Sequence, residues 1–85
     1  MLGYSLVEFL GTSLILFAVT TGNNLYVLSA LGIAISLGGK ISGGHFNPAI
    51  TFMKYLQGDI SQVKAMYYVS AQYFASLVVF FLSSL

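Results

Sequence analysis

Few side chains in this sequence of 85 residues can do chemistry. There is one histidine, His45, there are two acids, Glu8 and Asp59, and three lysines, Lys40, Lys54 and Lys64; cysteine, tryptophan and arginine are absent. Without cysteine there are no disulfides, thiolate metal sites or thiol nucleophiles. One histidine and two acids at no recognisable ligand spacing make no metal centre, and no catalytic set or cofactor motif is present. The sequence is that of a non-enzyme. Two features remain that call for a function. One is Glu8, an acid with apolar residues on both sides. The other is Asn47-Pro48-Ala49, preceded by Gly43, Gly44 and His45.

The elements that carry these residues are read from composition. Hydrophobic residues make up 58% of the chain and charged residues 6%, and the mean hydropathy is +0.91. A globular domain is about 25% charged, so this chain belongs in a bilayer rather than in water. A net charge of +1 also excludes a basic nucleic-acid binder and an acidic tail. A hydrocarbon core of about 30 Å needs about 20 apolar helical residues. Three stretches qualify: about 4–21, about 25–41 and about 61–85. The second is long enough only if it continues into the glycines. No positive charge precedes the first stretch, so a secretory leader is a poor reading of it.

Between the second and third spans lies a shorter apolar piece, Pro48–Leu56, about 13 Å long as a helix. Asn is among the best N-caps, and Pro is pre-set for the first helical position, so a helix is expected to start at Asn47-Pro48. By length alone this piece can lie on the interface or re-enter the membrane part way. Lys40, Lys54 and Lys64 all lie in the connection between the second and third spans, whereas the connection Thr21-Gly22-Asn23-Asn24 is uncharged. The positive-inside rule then puts this side, and the N-terminus, in the cytoplasm. Small residues recur at helix-packing spacing: Gly3 and Gly11 with Val7, Ala30 with Ala34, Gly32 with Ser36, and Ala71 with Ala75. Tyr67, Tyr68, Tyr73, Phe74, Phe80 and Phe81 read as lipid-facing or interfacial.

The string Ile41-Ser42-Gly43-Gly44-His45-Phe46-Asn47-Pro48-Ala49-Ile50-Thr51 resembles the first signature loop of the aquaporins, the major intrinsic protein family. Val7-Glu8-Phe9-Leu10-Gly11-Thr12 is similar to the start of that family's first helix, and Ala71-Gln72 to the middle of its third. The resemblance covers nearly the whole chain, but only the N-terminal half of a fold built from two inverted halves. It implies an all-α membrane protein of three transmembrane helices and one re-entrant half-helix, a single repeat over 1–85 with the loop and half-helix at about 42–56. It implies a passive channel for water or small uncharged solutes such as glycerol. Asn47 would donate to passing water, Pro48 would stack on the mirror-related motif, and Ala49 would keep that contact small. The carbonyls of Gly43, Gly44 and His45 would form a ladder of acceptors. Glu8 and Gln72 would bond the loop's free backbone groups, and His45 would hold the turn through nearby backbone. The second motif and its Arg are absent, with Ile50 at the matching place, and a filter residue would fall near Val27 or Leu28.

A single copy would leave the half-helix tip facing lipid, where each unsatisfied group costs several kcal/mol. A complementary second half, another copy or further sequence of the same protein is therefore expected to close the pore, although the lysine bias argues against insertion in both orientations. Two other readings compete. Glu8 can serve a small proton-coupled transporter, since intramembrane acids are functional by default. Short chains of two or three spans also occur among holin-like membrane proteins.

Overall fold

The computed structural model describes residues 1–85. The chain is all helical: α1 (Leu2–Thr20), α2 (Asn24–Ser42), α3 (Pro48–Leu56) and α4 (Gln62–Ser83). Helices α1, α2 and α4 are each long and apolar enough to cross a membrane. At 1.5 Å per residue they run about 28–33 Å, the thickness of a hydrocarbon core. The molecule measures 37 × 23 × 21 Å.

Local signals set the helix ends. The Asn23 side chain caps α2 by accepting from the Leu25 and Tyr26 amides, and Ser61 caps α4 at Lys64. Helix α2 stops at Gly43, whose φ of 87° lies in the left-handed region that glycine enters without strain. Helix α3 starts at Pro48, with the Asn47 side chain accepting from the Ala49 amide.

Helix α1 is the centre of the fold. It packs against both α2 and α4, α3 packs against α4, and α2 and α4 do not pack on one another. The buried set is small and half polar. Ala18, Ala30, Ala34, Phe46, Tyr68, Ala75 and Val79 share it with Glu8, Thr12, Ser42, His45, Thr51 and Gln72. Most large apolar side chains face outward, among them Leu6, Leu28, Leu37, Phe74, Phe80 and Phe81. A water-soluble protein inverts this arrangement, whereas in lipid only the polar groups need an interior.

Two expectations from side-chain type are corrected. Tyr68 is not interfacial: it is 1% exposed, and its hydroxyl donates to the Ser42 carbonyl at 2.6 Å. It lies one turn before Gln72 on the face of α4 that also carries Ala75 and Val79, and that face is turned to the interior. Tyr67, Tyr73, Phe74, Phe80 and Phe81 are exposed. The small-residue patterns also divide. Ala30 and Ala34 are buried against α1, together with Gly38. Gly3 and Gly32, by contrast, have no neighbour where a side chain would project.

Candidate functional site

The connection from α2 to α3 turns into the bundle because its residues are held there from two helices. Gly43 and Gly44 have φ of 87° and 67°, and Phe46 has φ of 54°. A left-handed aromatic residue is costly and persists only where its surroundings fix it. Here they do. The Phe46 ring fills a notch at Gly11 of α1, where a Cβ would overlap the ring, and reaches Gly38 of α2. Gly11 is the tenth of the nineteen residues of α1, so the loop reaches half the height of that helix.

Glu8 organises the loop's backbone. It is 0% exposed. Its Oε2 accepts from the Ser42 hydroxyl at 2.7 Å and the His45 amide at 3.1 Å, and its Oε1 accepts from the Phe46 amide at 2.7 Å and Gln72 Nε2 at 2.9 Å. Four donors match the roughly four lone-pair sites of a carboxylate. A group with every site occupied and no exposure has nothing left to offer a substrate, so the geometry gives no support to a proton-exchanging Glu8.

Gln72 reaches the loop indirectly. Its Nε2 donates to Glu8 and, at 2.9 Å, to the Thr51 hydroxyl of α3, and not to loop backbone. His45 likewise holds the turn through a side chain rather than through backbone, with Nδ1 2.9 Å from Thr51 Oγ1. Thr51 accepts from Gln72, and the only acceptor its own proton meets is His45 Nδ1. The network therefore assigns the imidazole proton to Nε2. Burial pushes the His45 imidazole below its ordinary range, with Lys54 and Lys64 adding to that and Glu8 opposing it.

The backbone of the loop is satisfied on one side only. The amide of Gly43 donates to the Gly39 carbonyl at 2.8 Å, that of Gly44 to Ser42 Oγ at 3.2 Å, and those of His45 and Phe46 to Glu8. No group of the chain donates to the carbonyls of Gly43, Gly44, His45 or Phe46. At the start of α3 the Asn47 Oδ1 is taken by the Ala49 amide at 2.8 Å, which leaves the Asn47 NH2 group free. Asn47 and Ala49 are exposed and Pro48 is half-buried. The loop thus offers a run of acceptors followed by one amide donor at a helix N-terminus, which carries about half a positive charge.

The structure brings Glu8, Gln72 and His45 into one network and places Gly43, Gly44, Asn47, Pro48 and Ala49 along the loop and helix start beside it. Sequence reasoning missed Ser42, Phe46, Thr51 and Tyr68. Thr51 had a readable signal: it is a polar residue one turn after Asn47, in a helix that is otherwise apolar up to Lys54. No group of three or more potential metal-ligating side chains is present.

Comparison with known proteins follows the same residues. The family model described as Major intrinsic protein matches residues 22–83. The chain is 51% identical over 49 residues to aquaporin TIP1-2 of Zea mays, a match covering 58% of this chain and 19% of that protein. It is 44% identical over 48 residues to aquaporin TIP1-1 of Arabidopsis thaliana, covering 56% and 19%. With glycerol uptake facilitator protein-like 6 of Lactiplantibacillus plantarum it is 36% identical over 83 residues, covering 86% and 38%. The chain thus matches between about a fifth and two-fifths of the length of these curated relatives. No solved structure matches it.

Proposed function

The chain belongs to the major intrinsic protein family, and on that premise we propose that it supplies one half of a passive membrane channel for water or small uncharged solutes such as glycerol. One observation carries this reading: four successive carbonyls without an internal donor, Gly43 to Phe46, lead to the free Asn47 amide at the start of a helix. Irregular backbone at membrane depth is tolerated only where it lines a cavity or is buried in protein. Along such a row a neutral molecule exchanges one acceptor for the next. At Asn47 it meets a donor and the positive end of α3, which repels cations and protons; this is the half-helix device by which aquaporin-type pores select. Pro48 and Ala49 sit at the tip, where a second half would meet them. Glu8 and Gln72 set the loop's shape and do not touch the solute.

Closure requires a second surface, supplied by further sequence of the same protein, by a separate complementary half or by another copy inserted the opposite way. Lys40, Lys54 and Lys64 gather at the end of the bundle where α1 begins, which favours a cytoplasmic N-terminus and argues against a copy inserted the opposite way. Names of the relatives include both aquaporins and a glycerol uptake facilitator, so the solute class proposed spans both.

The test is stopped-flow swelling of proteoliposomes containing the chain and any companion that purifies with it. Permeability above that of bare lipid is expected. Asn47→Asp, which puts a negative charge at the helix tip, is expected to slow water and admit cations. A rate no higher than bare lipid, or an Asn47→Asp rate equal to wild type, defeats the proposal.

A further inference from the structure

All three lysines of the chain line one cavity of about 370 Å³, together with one acid, Asp59, and with His45 and Tyr68. It is far more polar than the hollow between α1 and α2, which is walled by aliphatic side chains and glycine. Its charge is unbalanced. Lys54 pairs with Asp59 at 3.7 Å, the only ion pair in the chain. Lys64 has no carboxylate; its ammonium stands 4.9 Å from the centre of the Tyr4 ring and 5.7 Å from that of Tyr68. Lys40 has no acidic partner either, and its place in the last turn of α2 suits the negative end of that helix. One acceptor of the wall, the Ser42 carbonyl, is already taken by the Tyr68 hydroxyl.

The cavity also contains a built donor. His45 is 6% exposed, its Nδ1 is engaged by Thr51, and the network puts its proton on Nε2, which has no partner within the chain. From these observations we propose that the cavity binds a phosphate oxyanion, with His45 Nε2–H and the Lys40 and Lys64 ammonium groups as its donors. Charge-assisted bonds from ammonium groups to phosphate oxygens are strong, and the accessible Nε2–H of an imidazole held by Thr51 fixes where the anion sits. Two sources carry that group: free phosphate and the headgroup of an anionic phospholipid, which basic clusters beside membrane helices attract. Lys40 and Lys64 lie off the row of free carbonyls, whereas Gly43 and His45 belong both to that row and to the cavity wall.

His45 is the only histidine in the chain, so its imidazole nitrogen-15 signal reports occupancy without ambiguity. The full chain, with any companion, is placed in phosphatidylcholine nanodiscs at constant pH and titrated with inorganic phosphate. It is then compared in discs containing phosphatidylglycerol. A saturable shift of the Nε2 signal with inorganic phosphate supports the site with a free anion as ligand. A shift with phosphatidylglycerol alone supports the site with a lipid headgroup. Lys40→Gln and Lys64→Gln are each expected to weaken binding about tenfold, with Lys→Arg restoring most of it. No shift in either medium, or a shift of the same midpoint in the Lys40→Gln/Lys64→Gln double variant, overturns the proposal. Water permeability is not read in this experiment, so a failed channel and a failed anion site are told apart.

Discussion

Glu8→Gln tests the account of the loop most directly, because it preserves shape and changes only what the group can accept. The glutamine has one acceptor oxygen where the carboxylate has two. With its NH2 at the former Oε1 it would confront the Phe46 amide, which cannot reverse, and Gln72, which can turn its oxygen inward only by giving up its donation to Thr51. With its NH2 at the former Oε2 it meets the Ser42 hydroxyl, which can turn to accept, and the His45 amide, which cannot. The second orientation is the cheaper. It leaves one buried N–H unsatisfied, at about 1–3 kcal/mol, and turns the other three charge-assisted bonds into neutral ones, at up to about 1 kcal/mol each. The lower cost of burying an amide offsets part of this, so the net loss is about 2–3 kcal/mol. If that loss falls on local opening of the loop, amide exchange at His45 and Phe46 quickens about 30- to 150-fold. Amides of α1 beyond the loop, such as that of Leu16, serve as the control. Unchanged protection at His45 and Phe46 would refute the claim that Glu8 holds the loop. Loss of pH-driven efflux with protection intact would instead restore the transporter reading.

Further expectations follow from the same contacts. Gly11→Ala places a methyl group in the Phe46 ring and is expected to cost about 1–3 kcal/mol by overpacking, read as a lowered unfolding midpoint in detergent; a midpoint equal to wild type removes the notch from the argument. Tyr68→Phe leaves the Ser42 carbonyl without its donor at a site 1% exposed, a loss of about 1–2 kcal/mol in the same assay. Its stability should not depend on whether the membrane interface is present, as an interfacial tyrosine's would. His45 supplies a pH dependence. Its imidazole is held below the ordinary value by burial, so the folded chain binds fewer protons than the unfolded one. Its contribution to stability is complete above about pH 6.5 and falls as pH drops towards the folded-state value. His45→Gln is expected to flatten that part of the stability profile, and a profile of unchanged slope would contradict the assignment.

What could be read beforehand divides along physical lines. The three long helices follow from apolar length, and the start of α3 from Asn47-Pro48, since both depend on neighbours in sequence. Glu8 and Gln72 stood out because a polar side chain inside an apolar run has few reasons to be there. Tyr68 was misread because a tyrosine is at home both at a membrane surface and in a polar interior. The spacing Tyr68, Gln72, Ala75, Val79 carried the answer, and the residue type obscured it. Ser42 and Thr51 are small hydroxyl residues of the kind that appear on any membrane helix. Their bonds to Glu8, His45 and Gln72 span 34, 6 and 21 positions, which no local pattern encodes. Phe46 looked like one more apolar residue, and its left-handed backbone became visible only with the coordinates.

The Phe46 ring lies between Gly11 of α1 and Gly38 of α2, and that arrangement bears on how the molecule is assembled. A ring seated between two rods sets their separation as a shim does, so insertion depth and rod spacing are one mechanical variable. At Gly38 the ring shares the gap with the Val7 side chain of α1, so the two helices can approach fully only with both in place. It follows that the first two spans complete their docking only once the chain behind them has folded back, however early each of them enters the bilayer.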